Sequence, residues 1–267
     1  MKIAIIGCSF AGGVYSTKKQ SVQIAKETEI EEHVLDHFKG WPYEIHKKYN
    51  IETHLFCHEG NGLLGTRFFI DEIIQHFGLD FFDKILISIS SNEPRQILYK
   101  DYKFKINDSK ENFYYYNILE NKGEGWIPDT INLWQLRKNH PYPEADKHNL
   151  LLAVTEYARS QFAKTQLIHT LNYIEKLNEA YNYNKILMFP YGLLQNELHD
   201  DEFFSLKQLK LYKTFKCYED QSFSKFVAKR FDVNKLTVID KFNHNEKGQK
   251  LLIDLYLKDI LDKFING

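Results

Sequence analysis

Short apolar runs, each closed by a glycine, a proline or a polar turn, divide this chain into alternating strands and helices. Ile3, Ala4, Ile5 and Ile6 form a mostly β-branched run that stops at Gly7, as a buried central strand does. Residues 52–58 alternate loosely and predict a second strand. Lys84-Ile85-Leu86-Ile87-Ser88-Ile89 predicts a third, residues 184–189 a fourth, and Lys235-Leu236-Thr237-Val238-Ile239 a fifth. Between them the apolar period lengthens. The polar, Glu- and Lys-rich residues 22–38 predict a helix. Pro42 sits just inside the next helix start, where its missing N–H costs nothing, and Trp41, Ile45 and Tyr49 then share a face. Phe69, Ile70, Ile73, Ile74 and Phe77 mark a helix over 66–77. Further helical patterns cover 149–180, 222–231 and the apolar stretch ending at Ile265.

Residues 94–150 break the alternation. Tyr99, Tyr102, Phe104, Phe113, Tyr114, Tyr115, Tyr116, Trp126 and Trp134 crowd this stretch, and glycines and prolines interrupt it. It reads as neither sheet nor regular helix, but as an aromatic-rich insertion after the third strand. Such long segments often serve as lids or binding loops. Aromatic faces suit sugar rings, although rings are more often buried payload of a small core. With no internal repeat, the pattern describes one α/β domain over residues 1–267. Right-handed crossovers give it a parallel sheet with helices on both faces.

Composition narrows the function. The 267 residues carry a net charge of −1, with no basic stripe for nucleic acid and no acidic tail. With 17 Tyr and 20 Phe the chain is not of disordered composition. Cys8, Cys57 and Cys217 are scattered and odd in number, which fits a reducing compartment better than a disulfide framework. No run approaches the roughly 18 apolar residues of a membrane span. The apolar stretch before Cys8 is also too short for a signal segment. A cytoplasmic protein without a membrane span is the expectation.

The chemistry-bearing residues cluster where predicted strands end. Gly7-Cys8-Ser9-Phe10 puts a hydroxyl after strand one. Glu59-Gly60-Asn61-Gly62-Leu63-Leu64-Gly65 follows strand two, with three glycines freeing the backbone. Ser90-Ser91-Asn92-Glu93 follows strand three, and Asp240-Lys241-Phe242-Asn243-His244-Asn245 follows strand five, ahead of Gly248 and the last helix. In this order the blocks resemble those of the SGNH (GDSL-like) hydrolases: Gly-Asp-Ser, a turn glycine, Gly-x-Asn-Asp and Asp-x-x-His. Cys8 replaces an aspartate, Ser90 a glycine and Glu93 an aspartate, and Asp240 lies one residue further from the histidine than the family spacing. The Trp41-Pro42-Tyr43 helix start is also similar to that family's. The resemblance spans nearly the whole chain. It implies a three-layer α/β/α sandwich with a five-stranded parallel sheet of flavodoxin-like topology.

It also implies roles. Ser9 would be the nucleophile, which needs a base within hydrogen-bond reach, and His244 is the natural base. Asp240, or a backbone carbonyl, would orient the imidazole. The N–H groups of Ser9 and Gly62 and the Asn92 amide would hold the oxyanion, with Gly60 and Gly65 as rivals to Gly62. The expected activity is hydrolysis of ester-linked acyl groups, most plausibly O-acetyl groups of a carbohydrate, with no cofactor or metal. The partner is then a small-molecule or glycan ester. Transfer of the acyl group to a glycan, or glycan binding without catalysis, are the alternatives.

Other readings are weaker. A dinucleotide fingerprint would fall on Gly7, Ser9 and Gly12, but Ser9 carries a Cβ where a glycine lets the pyrophosphate approach, and no acid-tipped strand follows about 20 residues on. Cys8 should point away from Ser9, into the fold. On a strand, His54 and His58 would stand about 13 Å apart, too far to share a metal ion, even with Glu59 beside them. His140, His148, His169 and His199 lie in polar surroundings and read as solvated.

Overall fold

The structure, a computed structural model, describes residues 1–8, 11, 14–20, 29–35, 37–57, 63–89, 102–120, 161–192, 206–236 and 245–267. In chain order these form β1 (Lys2–Gly7), β2 (Val14–Gln20), β3 (Glu29–Leu35), α1 (Trp41–Tyr49), β4 (Glu52–Cys57), α2 (Leu63–Phe77), β5 (Lys84–Ile89), β6 (Tyr102–Lys110) and β7 (Phe113–Glu120). There follow α3 (Gln161–Glu179), β8 (Ile186–Pro190), α4 (Leu206–Leu209), α5 (Phe223–Arg230), α6 (Val233–Leu236), α7 (Glu246–Leu251) and α8 (Lys258–Asn266). A six-stranded sheet runs β6-β7-β4-β1-β5-β8, and β2 and β3 form a separate pair. The strands β4, β1, β5 and β8 are mutually parallel. The chain is therefore α/β with a mostly parallel, mixed sheet. No described helix is long and apolar enough to cross a membrane.

The sheet buries both faces, which is why its central strands show unbroken apolar runs. Ile3, Ala4, Ile5 and Ile6 are all fully buried. Ile3, Ile5, Leu55, Leu86 and Phe189 pack on one side with Trp41 and Ile45 of α1, Phe223 and Val227 of α5 and the C-terminal helices. Ala4, Ile6, Phe56, Ile85 and Met188 pack on the other with Phe69, Ile70 and Ile73 of α2 and Leu171 and Ile174 of α3. The expected shared face of α1 holds: Trp41 and Ile45 are fully buried, and Tyr49 packs against the same core. The last helix widens into a π turn over Leu252–Tyr256. There the Leu257 N–H donates to the Leu252 carbonyl at 2.7 Å. The wider turn lets Leu252, Ile253, Tyr256 and Leu257 all face inward.

Five expectations need correction. Residues 22–38 do not form one helix, because β3 occupies Glu29–Leu35 and pairs antiparallel with β2 from Val14↔Leu35 to Gln20↔Glu29. Cross-strand pairing outweighs the mild helical preference of Glu and Lys. The insertion is not irregular throughout, since β6 and β7 form a hairpin within it. Lys110 pairs with Phe113 across a two-residue turn whose residues, Glu111 and Asn112, have φ of 52° and 68°. Positive φ at both turn positions suits the twist of the flanking strands. β7 then joins β4 in parallel, so six strands replace the expected five and one edge is antiparallel.

The fifth expected strand, 235–239, is also not seen as such. Lys235 and Leu236 belong to α6, and 237–239 lie outside the described residues. The neighbour of β8 on its outer side is instead Phe215, through one parallel bridge to Met188. Asn178 and Glu175 of α3 hold that segment. Asn178 donates to Thr214 Oγ1 at 3.0 Å, and Glu175 accepts from the Lys213 and Thr214 N–H groups at 2.8 and 3.1 Å. Finally, Gly65 lies in the first turn of α2 rather than in the loop before it.

Candidate functional site

Ser9, Gly62, Asn92, Asp240 and His244 all lie outside the described residues, as do Gly60, Gly12, His58 and Glu59. The structure describes the residues that flank them. Those flanks come together at the carboxyl edge of the parallel strands, where open α/β sheets keep their ligands.

Gly7 pairs with Cys57, and Ile6 pairs with both Phe56 and Ile87. Adjacent strands lie about 4.8 Å apart, so the chain leaves β4, β1 and β5 within about 10 Å. Gly7 has a specific reason to be glycine. A Cβ there would stand 2.5 Å from the Ala11 Cβ and 2.6 Å from Ser88 Oγ. The Ala11 N–H donates to the Cys8 carbonyl at 2.9 Å, tying together the two residues that bracket positions 9 and 10. Cys8 is only 3 % exposed, in keeping with a thiol turned into the fold. Cys57 is likewise buried.

At the end of β5, the Ile89 carbonyl accepts the Tyr191 N–H at 2.8 Å and the Gly192 N–H at 3.4 Å. The chain beyond β8 is thereby pinned to the strand that leads toward Asn92. The Tyr191 carbonyl in turn accepts from the Ser224 N–H and hydroxyl, both at 3.0 Å. Tyr256 donates its hydroxyl to the Gln221 carbonyl at 2.6 Å. Burial raises the Tyr256 phenol, so it stays a neutral donor.

The last helix starts at the same edge. α1 runs away from it: Trp41 packs edge-on against Phe189 near the end of β8, with centroids 5.4 Å apart, while the other end of the helix leads into β4. The Trp41 N–H donates to the Gln249 side chain at 3.3 Å. Gln249 lies one turn after Asn245, whose carbonyl accepts the Gln249 N–H at 2.8 Å. Asn245 caps α7, its Oδ1 accepting from the Gly248 N–H at 3.1 Å. Asn245 also donates its side-chain amide to the Lys235 carbonyl at 2.9 Å and its backbone N–H to the Leu236 carbonyl at 2.8 Å. Both ends of positions 237–244 are thus clasped by one residue.

Sequence reasoning missed Ser88 and Ala11 as the packing partners of Gly7. The signal was present: Ser88 is the one small polar residue in an apolar run, on the strand neighbouring a glycine. Reading His54 as structural agrees with the fold, where it is 4 % exposed and hydrogen-bonded within the core. His169 is exposed, as expected, while His140, His148 and His199 lie outside the described residues. Among the described residues, no group of three or more His, Cys, Asp or Glu is arranged to hold a metal ion. No family model, no curated protein and no solved structure matches this chain.

Proposed function

We propose that the chain is a serine hydrolase of the SGNH type, cleaving ester-linked acyl groups, with O-acetyl groups of a carbohydrate as its substrate. The observation that carries the reading is the convergence of the flanks. Cys8, Leu63, Ile89 and Asn245 border the Ser9, Gly62, Asn92 and His244 blocks, and β4, β1, β5 and β8 stand in the order second, first, third, fourth along the sheet. We take this as the beginning of a flavodoxin-like order, whose switch point would fall between β1 and β5.

In this reading His244 removes the proton from the Ser9 hydroxyl as its oxygen attacks the acyl carbon. The carbonyl oxygen becomes an oxyanion, held by the Ser9 and Gly62 N–H groups and the Asn92 amide. The alcohol leaves with the proton from His244. Water then repeats the sequence, releasing the acid and restoring the serine. Asp240 or a backbone carbonyl keeps the imidazole in the working tautomer.

The test is turnover of a small acetyl ester by folded protein. Ser9→Ala abolishes it, and Asn92→Ala lowers kcat by roughly 10²–10³. Turnover by Ser9→Ala at the wild-type rate would remove the proposal.

A further inference from the structure

A second polar cluster lies inside the sheet, outside the proposed chemistry. His54 of β4 stands with Nε2 2.8 Å from Glu52 Oε1 and Nδ1 2.9 Å from the Tyr116 hydroxyl. A carboxylate only accepts, so Nε2 carries the hydrogen, and Nδ1 is left to accept the Tyr116 O–H. Lys2 of β1 approaches Glu52 at 3.6 Å. Among the described residues, the ionisable groups facing the imidazole are thus Lys2, Glu52 and, from β7, Tyr114 and Tyr116. The remaining rings against it, Phe77, Phe81 and Phe82, are apolar.

In its neutral form the imidazole has both nitrogens satisfied. A proton added at Nδ1 turns that nitrogen into a second donor. The Tyr116 hydroxyl must then accept, and its own hydrogen turns away from its partner. Tyr116 is only 5 % exposed, so little water is at hand to take that hydrogen. Leaving a buried donor unpaired is unfavourable. Tyr116 belongs to the β6–β7 hairpin, which joins the rest of the sheet through the four pairs from Thr53↔Phe113 to Phe56↔Tyr116.

We infer that Glu52, His54 and Tyr116 form a proton-operated latch, which fastens the β6–β7 hairpin to β4 near neutral pH and loosens it when His54 takes a proton. Burial opposes the charged imidazole first, Lys2 adds to it, and the Glu52 carboxylate offsets only part, leaving His54 below the ordinary histidine value. An opened hairpin exposes His54 to water and restores that value. Acid therefore favours opening, beginning near pH 6.5.

The experiment is amide hydrogen exchange on the full chain from about pH 8 to about pH 5, corrected for intrinsic rates, comparing peptides from 102–120 with those from 84–89. The hairpin's protection relative to β5 should fall by up to about tenfold per pH unit below about 6.5, until the closed form itself takes the proton. His54→Gln should flatten the profile, and Tyr116→Phe should lower protection already at pH 8. A flat wild-type ratio, or a slope unchanged in His54→Gln, would overturn the latch. If His54→Gln fails to fold, the wild-type comparison of the two peptide sets alone decides.

Discussion

Replacing Gly7 by alanine tests the packing that holds the first strand's exit in place. The added Cβ would lie 2.5 Å from the Ala11 Cβ and 2.6 Å from Ser88 Oγ. Carbon atoms rest at about 3.5–4.0 Å, so about 1 Å of relief is needed on the Ala11 side. Ser88 has some freedom: among the described residues its hydroxyl makes a long contact, 3.4 Å to the Ile6 carbonyl. Ala11 has little, since its Cβ is fixed to a backbone bonded to Cys8 at 2.9 Å. Overpacking of this kind costs about 1–3 kcal/mol. Urea denaturation should show that loss, with an unchanged slope against denaturant. In an Ala11→Gly, Ser88→Ala background both contacts vanish, and most of the penalty should vanish with them, a coupling of about 1 kcal/mol or more. A second readout, which rests on the proposed hydrolase activity, is ester turnover. Moving the Cys8–Ala11 turn by about 1 Å should cost up to about 10²-fold in kcat even where the protein remains folded. A Gly7→Ala protein within about 0.5 kcal/mol of wild type, or one with the same penalty in both backgrounds, would refute the packing argument.

Two further predictions concern stability. Asn178 is fully buried, donates to the Ile186 carbonyl at 2.7 Å and to Thr214 Oγ1, and accepts from the Lys185 and Ile186 N–H groups at 3.0 and 2.7 Å. Asn178→Ala should therefore destabilise by at least about 2–3 kcal/mol, since several buried backbone groups lose partners worth about 1–3 kcal/mol each; chemical denaturation measures it. For pH, His54 is lowered chiefly by burial, so its contribution is complete above about pH 6.5 and declines as pH falls toward its folded value. Glu52 is also lowered: burial acts the other way but is outweighed by the His54 hydrogen bond and Lys2, adding a second loss below about pH 4.5. Denaturation midpoints measured across this range should drop in two stages, the first absent in His54→Gln.

Most of the main sheet was legible because its strands are buried on both faces. β1, β4, β5 and β8 fall within two residues of the apolar runs that announced them. Trp41, Pro42 and Ile45 announced α1 in the same way, through side chains that only a core accommodates. The β6–β7 hairpin was harder to read, although Tyr102-Lys103-Phe104-Lys105-Ile106 alternates with period two. Its turn uses Glu111 and Asn112 at positive φ, not the Asn-Gly or Asp-Gly that usually marks such a turn. The β2–β3 pair was hidden by Glu and Lys, whose composition favours helix when read locally. Phe215 beside β8 was hidden for a different reason: a single bridge, held by Asn178 and Glu175 from a distant helix, leaves no local pattern. Of the candidate site the sequence offers residues placed after predicted strands, and these lie outside the described residues; the clasp made by Asn245 and the contact of Gly7 with Ser88 and Ala11, which flank them, depend on partners distant in sequence or across the turn.

The most direct measurement is labelling of the native, full-length chain with a fluorophosphonate, followed by peptide mapping. The account predicts one covalent adduct, on Ser9, that disappears in His244→Ala while the protein stays folded. A folded protein whose Ser9 takes no label, or takes it equally well without His244, would contradict it.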